Sequence, residues 1–472
     1  MLAFDDSLGV NMNIVLVCPT NYYGASATRG IYYPMGVLLV GSLVKDTFPL
    51  WEVRVVDGEL YEKAELESKI EGADVVGLSA NTNNYQHCID LAEFAKSHGA
   101  SRVVLGGPHA SAILVNGNQT IPMADLILRN QSSIDAVIVN DGENSFLKYL
   151  MESQKRNPDY GKIENLSWKG EDRKVKHNPR VIPTQPPRFV DMDFSLINLQ
   201  WYWNEHKTEF PAMSERFIEG FTHVGCAWRE KLGCSFCDIP YPLNNYQAPG
   251  RFWRDLREAR HQLGIQSFKD YGDCLTGNPK RVRALLQSRP ADMEDIELSC
   301  YGRSKEITEE MADILYNLNV KYVYIGFDSG DNQMLRSMQE GYSVASNYKA
   351  TERLAKRGVH ITGSLILGAA GESFKTIANT ERFARELVQY PNISQLHCAL
   401  LTPFPGAPMN KMFLEANPEF AKRDVWDTEL TKKFWMKHYC EAPYEYIEEK
   451  AKEINALNPS SRKRYFGLRR ES

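Results

Sequence analysis

The sequence predicts an α/β protein: an N-terminal doubly wound parallel sheet, then a partial (β/α)6 barrel, then a helical C-terminal segment. Three observations carry this reading. Short apolar, β-rich runs alternate with amphipathic helical stretches near the N-terminus. The same alternation resumes after an interval of mixed charge and proline. The last sixty or so residues keep only a helical period. Strands that are apolar throughout are buried on both faces, as in a parallel sheet covered by helices. The boundaries fall at 12–152, 153–205, 206–409 and 410–472, and 472 residues are too many for one ordinary domain.

In the first block the strand candidates are Asn13–Val17, Glu52–Val56, Asp74–Ala80, Arg102–Gly107 and Ala136–Asn140. Helical candidates such as GVLLVGSLVKD and YQHCIDLAEFAKSHG separate them. Ligands of such sheets bind beyond the carboxyl ends of the strands. That directs attention to Ser79 and Thr82, to Gly106-Gly107-Pro108-His109 and to Asp141-Gly142-Glu143, with Tyr33-Pro34-Met35-Gly36 opening the first helix. Adjacent glycines let a backbone approach a large planar ligand, and small hydroxyls suit the wall of a pocket. No G-x-G-x-x-G follows the first strand, so the dinucleotide fingerprint is absent. On residues alone the block is either a plain framework, a nucleotide site or a pocket for a larger ring.

Residues 153–205 carry the proline-rich NPRVIPTQPPRF and little periodicity, which reads as an extension and linker. The barrel strands are then RFIEGFT, SFKDYGD, DIELSCYG, KYVYIGFDSG, VHITGSLILG and SQLHCALL, with chemistry expected at their carboxyl ends. The linker and C-terminal aromatics (Trp201, Tyr202, Trp203, Phe434, Trp435, Tyr439) read as packing. The closing RKRYFGLRR reads as a solvated tail.

A formal net charge of −5 gives no global signature of nucleic-acid or membrane binding, and no apolar run approaches the roughly 20 residues of a spanning helix. The acidic start MLAFDDSLGV lacks the regions of a signal peptide, which points to the cytoplasm and reduced thiols. Six cysteines (Cys18, Cys88, Cys274, Cys300, Cys398, Cys440) are scattered and read as small buried residues. The other three are gathered in FTHVGCAWREKLGCSFCDIP as Cys226, Cys234 and Cys237. Three thiolates on one loop suit an iron–sulfur cluster with one iron left open. The competing reading is a structural zinc site in which His223 completes a Cys₃His set.

Around this loop, over roughly Glu215–Met409, the sequence resembles the radical S-adenosylmethionine superfamily. The spacing here is C-x7-C-x2-C, where the family's best-known form is C-x3-C-x2-C; AWREKLG stands as an insertion. The resemblance implies a [4Fe–4S] cluster on Cys226, Cys234 and Cys237 and reductive cleavage of S-adenosylmethionine. It places Phe236 by the adenine and Asp273 on the methionine amine. Arg303, in Ser299-Cys-Tyr-Gly-Arg303, meets the carboxylate in a fork that lysine cannot supply, unless it is only a salt-bridge residue. Asp328 stands in Gly326-Phe-Asp328-Ser-Gly where the family commonly has Glu. Ile366 and Gly368 belong to the strand that contacts adenine, and Leu401-Thr-Pro-Phe-Pro-Gly406 to the segment that closes such barrels.

The front block resembles the cobalamin-binding domain fused ahead of many radical enzymes. The carrying residues are Tyr33, Pro34, Gly106, Gly107, Pro108, His109, Asp141, Gly142 and Glu143, with Ser79 and Thr82 near the nucleotide tail. The D-x-H-x-x-G motif that gives cobalt a histidine is missing from Cys18-Pro19-Thr20-Asn21, so the resemblance implies cobalt without a protein histidine, and His109 as a wall residue. Together the two resemblances imply methylation of an unactivated carbon in a small or natural-product substrate, and an electron donor such as flavodoxin or ferredoxin. Cyclisation, oxidation or rearrangement without methyl transfer is the second enzyme reading. A non-catalytic cobalamin or metal sensor is the reading from another class. Neither a second cysteine triplet nor a basic domain supports action on RNA.

Overall fold

A computed structural model describes residues 11–20, 31–182, 185–239 and 245–458, apart from the side chain of Thr208. The chain forms two compact units. One comprises the described residues of Met1–Pro183 with Asp191–Tyr202 and Asn417–Trp426; the other comprises those of Thr184–Val190, Trp203–Ala416 and Asp427–Ser472.

The front unit contains β1 (Asn13–Cys18), β2 (Glu52–Asp57), β3 (Val75–Ser79), β4 (Arg102–Gly106), the hairpin β5–β6 (Ile113–Asn116, Gln119–Pro122), β7 (Ala136–Ile138), β8 (Leu166–Lys169) and β9 (Val175–His177). Its main sheet runs β2-β1-β3-β4-β7-β8-β9. The first five strands are parallel, and the order reverses between β1 and β3, the switch point at which such sheets bind ligands. Ile14, Leu16, Val75, Val104 and Ile138 from the strands pack with Val37, Val44, Phe146 and Leu150 from the helices. Each fully buried side chain of this kind contributes about 1.5–3 kcal/mol of transfer free energy. The Met35–Thr47 helix lies close on the sheet, since a Cβ at Gly41 would come within 2.8 Å of Val55.

Two sequence boundaries need correction. Within the stretch read as extension and linker, β8 joins the front sheet antiparallel to β7 and β9 pairs antiparallel with β8, so that sheet is mixed. They escape a periodicity reading because they are only four and three residues long, and β9 reads Val-Lys-His, the charged composition that protects an edge. Tyr202 is packing, as expected: its hydroxyl donates to Asp57 Oδ2 at 2.8 Å and its ring meets Tyr33 edge-on. The segment Asn417–Trp426, assigned from sequence to the C-terminal block, belongs to the front unit. There Asp424 accepts from Tyr85 Oη (2.8 Å), Asn130 Nδ2 (2.7 Å) and Gln131 Nε2 (2.6 Å).

The second unit contains β10 (Phe217–Gly220), a short ladder β11–β12 (His223–Val224, Asn245–Tyr246), β13 (Ser267–Asp270), β14 (Glu297–Gly302), β15 (Val320–Asp328), β16 (His360–Leu367) and β17 (Ile393–Leu400). The sheet runs β10-β13-β14-β15-β16-β17, all parallel and in chain order, the arc of a (β/α)6 barrel. Along β16 the odd positions Ile361, Gly363, Leu365 and Leu367 are buried, while His360, Thr362, Ser364 and Ile366 are less so, so the two faces differ as the period of two requires. The C-terminal helix Tyr444–Asn455 protects the edge strand β17: Asn455 Oδ1 accepts from Cys398 N (2.8 Å) and Asn458 Oδ1 from Leu396 N (2.7 Å). These amides take the place of a seventh strand. No helix among the described residues is long and apolar enough to cross a membrane. The basic tail RKRYFGLRR lies outside the described residues.

Candidate functional sites

In the front unit a cavity of about 220 Å³ opens at the carboxyl ends of β3, β4 and β7 and runs under the first helix. Ser79, Gly106, Gly107, Pro108, Asp141, Gly142 and Glu143 line it. So do Gly36, singled out with the helix opening Tyr33-Pro34-Met35-Gly36, and Val37, Val40, Gly77 and Asn140. A Cβ at Gly36 would meet no atom within 4 Å, and at Gly106 or Gly142 nothing nearer than 3.5 Å. Glycine is therefore not forced there by neighbouring chain; what it preserves is open space. An apolar slot of this size with a polar, glycine-rich mouth fits a flat group appended to a larger ligand.

Gly107 has a different reason. Its φ is +95°, and a Cβ would stand 2.5 Å from Ala80 O, so it is demanded by the backbone turn rather than by a ligand. Tyr33, Pro34, Thr82 and His109 are not among the lining residues. Tyr33 packs edge-on against Phe194 and Tyr202. His109 is buried behind the cavity, stacked 4.3 Å from Tyr85, with Nε2 at 2.9 Å from Asp424 O and Nδ1 at 3.2 Å from Thr82 Oγ1. Both ring nitrogens are engaged, so His109 serves the framework.

Burial pushes the His109 imidazole down from 6.5 to about 4. A depressed folded-state value contributes stability that is complete above pH 6.5 and is lost as pH falls through 4, about 3 kcal/mol in all. Urea denaturation of the full chain at about pH 7 and pH 4 should therefore show the wild type losing some 3 kcal/mol more than His109→Gln. Equal losses would mean that this ring is not held neutral.

In the barrel unit, β10 leads into the cysteine loop. Gly225, at φ +89°, donates its N–H to Asp273 Oδ2 at 2.6 Å and turns the chain into Cys226. The Cys234–Cys237 turn is pinned by Ser235 N to Met338 O (3.0 Å), Met409 N to Ser235 O (2.9 Å) and Arg229 Nη1 to Cys237 O (3.0 Å). All three thiols are free of disulfides and half-buried. A hydrogen bond from Cys274 pulls the Cys226 thiol down to about 6, and burial pushes Cys237 up to about 11. The Cys234 thiol bonds to Glu340 Oε2 at 3.2 Å. Among the described residues no three His, Cys, Asp or Glu side chains, the three cysteines included, are gathered closely enough to hold a metal ion.

The zinc alternative loses its fourth ligand. His223 is fully buried, Nε2 accepts from Cys274 N at 3.1 Å, and the ring stacks 5.2 Å from Tyr246. Burial holds it neutral, so its lone pair is already committed to the backbone. With His223 committed elsewhere, three thiols on one loop suit a cluster that leaves one iron open.

The remaining strand-end residues divide. Phe236 is half-buried on the loop, and Ile366 lies on the more open face of β16. Ser299 is buried with no partner for Oγ. Asp273 is committed to Gly225 N. Asp328, at φ +56°, accepts from Tyr342 Oη at 2.5 Å. Gly368 donates to Glu372 Oε2 (3.1 Å) and accepts from Trp435 Nε1 (2.8 Å), and a Cβ there would stand 2.3 Å from Met436 Cε. The φ of +91° at Gly368 is what requires glycine there, since the Met436 side-chain end could move aside. Arg303 is no surface residue: its side chain is 12% exposed, over Trp228 (4.6 Å) and Tyr342 (5.4 Å). Trp228, Glu340 and Tyr342 were not predicted.

A model of the Radical SAM superfamily matches residues 222–384, and one of the B12 binding domain matches residues 24–150. An uncharacterized methyltransferase of Pyrococcus horikoshii is 24% identical over 84% of this chain and 82% of its own. The bacteriochlorophyllide d C-12(1)-methyltransferase of Chlorobaculum tepidum is 23% identical over 92% and 84%. The anaerobic magnesium-protoporphyrin IX monomethyl ester cyclase of Rubrivivax gelatinosus is 20% identical over 84% and 68%. The solved radical S-adenosylmethionine methyltransferase TsrM from Kitasatospora setae has the same fold (TM-score 0.63, 16% identity, 86% of this chain and 76% of that one).

Proposed function

The chain belongs to the radical S-adenosylmethionine enzymes that carry a B12-binding domain, and from that premise we propose that it methylates an unactivated carbon of a small or natural-product-like substrate. The observation that carries the reading is the glycine-lined cavity at the carboxyl ends of β3, β4 and β7, whose open space suits part of a cobalamin, beside relatives named as methyltransferases. When bound, the cluster supplies the electron that cleaves S-adenosylmethionine, and the cobalamin supplies a carrier for the methyl group.

The chain's own residues bind and orient. Cys226, Cys234 and Cys237 hold the cluster, and Phe236 and Ile366 flank the adenine. Gly36, Gly106 and Gly142 leave room for the corrin and its tail. Ser79 and Asn140 offer polar contacts at the cavity mouth. A one-electron donor of the flavodoxin or ferredoxin kind supplies reducing equivalents. Neither nucleic acid nor membrane is a partner, in keeping with a net charge of −5.

The substrate need not be known for a test. Reduced, cobalamin-loaded protein is incubated with S-adenosylmethionine labelled in its methyl group. Recovery of label with the corrinoid, together with an equal amount of S-adenosylhomocysteine, is expected. Formation of 5′-deoxyadenosine without any labelled corrinoid would instead favour radical chemistry without methyl transfer.

A further inference from the structure

Asp273, the acid expected to meet the methionine amine, already accepts from Gly225 N at 2.6 Å in the turn that delivers Cys226. A different acid stands beside the cluster loop with capacity to spare. The Glu340 side chain is 3% exposed; Oε2 takes the Cys234 S–H at 3.2 Å and Oε1 has no hydrogen-bond partner. Next to it, Arg303 places Nη2 on the Glu340 carbonyl oxygen, while Nε and Nη1 make no hydrogen bond; Glu306 Oε2 lies 3.9 Å from Nε. Buried polar groups left open in this way are costly, and a ligand that satisfies them is favoured. Arg303 Nη2 and Glu340 Oε2 pair at 3.9 Å, and the atoms this pair leaves open, Glu340 Oε1 and Arg303 Nε and Nη1, complement an α-amino-acid head group.

Resting on the radical S-adenosylmethionine assignment, we propose that Glu340 and Arg303 bind the methionine ammonium and carboxylate of the cofactor, with Glu340 replacing Asp273 in that role. Trp228 of the cysteine loop helps to build this subsite. Trp228, inside the inserted AWREKLG, donates Nε1–H to Gln339 O at 3.0 Å and carries the Arg303 guanidinium on its ring. Gly341, at φ +70°, must be glycine because a Cβ there would stand 2.4 Å from the Trp228 ring. Trp228 thus holds the turn that presents Glu340.

The test compares two nucleosides on cluster-reconstituted full-length protein by equilibrium dialysis, with iron per chain measured on the same samples. S-adenosylhomocysteine keeps the amino-acid head group; 5′-methylthioadenosine lacks it. Glu340→Gln should lose about tenfold or more in affinity for the first and nothing for the second. Unchanged affinity for S-adenosylhomocysteine, or equal losses for both nucleosides, would overturn the proposal. If Glu340→Gln fails to hold iron, Glu340→Asp decides by the same comparison, with a smaller selective loss expected because the charge is kept. Wild-type protein that binds neither nucleoside would overturn the cofactor assignment itself and the subsite with it.

Discussion

Single replacement of Cys226, Cys234 or Cys237 by alanine will reduce 5′-deoxyadenosine formation to the level of cluster-free protein, while the front unit goes on binding cobalamin. The expectation is this sharp because the three sulfurs have no substitute within the loop. His223 is committed to Cys274 N, and Cys274 is buried and shares its hydrogen with Cys226. Loss of one thiolate therefore leaves a two-thiolate loop rather than an alternative site. Independence of the front unit follows from its separate core around β1, β3 and β4. Iron content, deoxyadenosine yield and cobalamin content read from one preparation check both halves. A single alanine variant that still forms deoxyadenosine at the wild-type rate would show that its cysteine is not a ligand.

Gly36→Leu will lower cobalamin content severalfold and leave iron content unchanged. Position 36 is the second residue of the Met35–Thr47 helix and lines the cavity, with no atom within 4 Å of the added Cβ. A glycine-to-leucine change in a helix favours folding by up to about 1 kcal/mol, so poorer folding cannot account for a lost ligand. The same reasoning rules out Gly107 as the test position. Its positive φ and the 2.5 Å approach to Ala80 O make any side chain there a backbone strain, whatever the cavity holds. Normal cobalamin content in Gly36→Leu, measured after anaerobic reconstitution, would remove this cavity from the account.

Sequence and structure agree where the physics is local. Six barrel strands and five front strands were legible because each is an apolar run bounded by turn residues, and the cysteine loop because its spacing is compact. What escaped depends on contacts between distant residues. Trp228, Arg303 and Glu340 meet only after the barrel closes, and no periodicity or spacing links an inserted tryptophan to a glutamate more than a hundred positions on. Asp424 is a similar case: an exposed-looking acid in a C-terminal segment turns out to gather Tyr85, Asn130 and Gln131 of the front unit. The glycines teach a finer lesson. Sequence marked Gly36, Gly107 and Gly368 alike, whereas Gly36 stands in open space and the positive φ of Gly107 and Gly368 is what holds those two to glycine. A glycine's neighbours distinguish a turn from a cradle, and neighbours are a property of the fold.

The central claim is that the front unit holds cobalamin without a histidine on cobalt and serves the radical unit. Cobalamin per chain after anaerobic reconstitution, with the cobalt(II) EPR spectrum of the same sample, tests it most directly. The account predicts near-stoichiometric cobalamin and no nitrogen splitting from a lower axial ligand, because both His109 nitrogens are engaged within the front unit. Protein that keeps its iron–sulfur cluster yet binds no cobalamin, or a spectrum split by a histidine nitrogen, would contradict it.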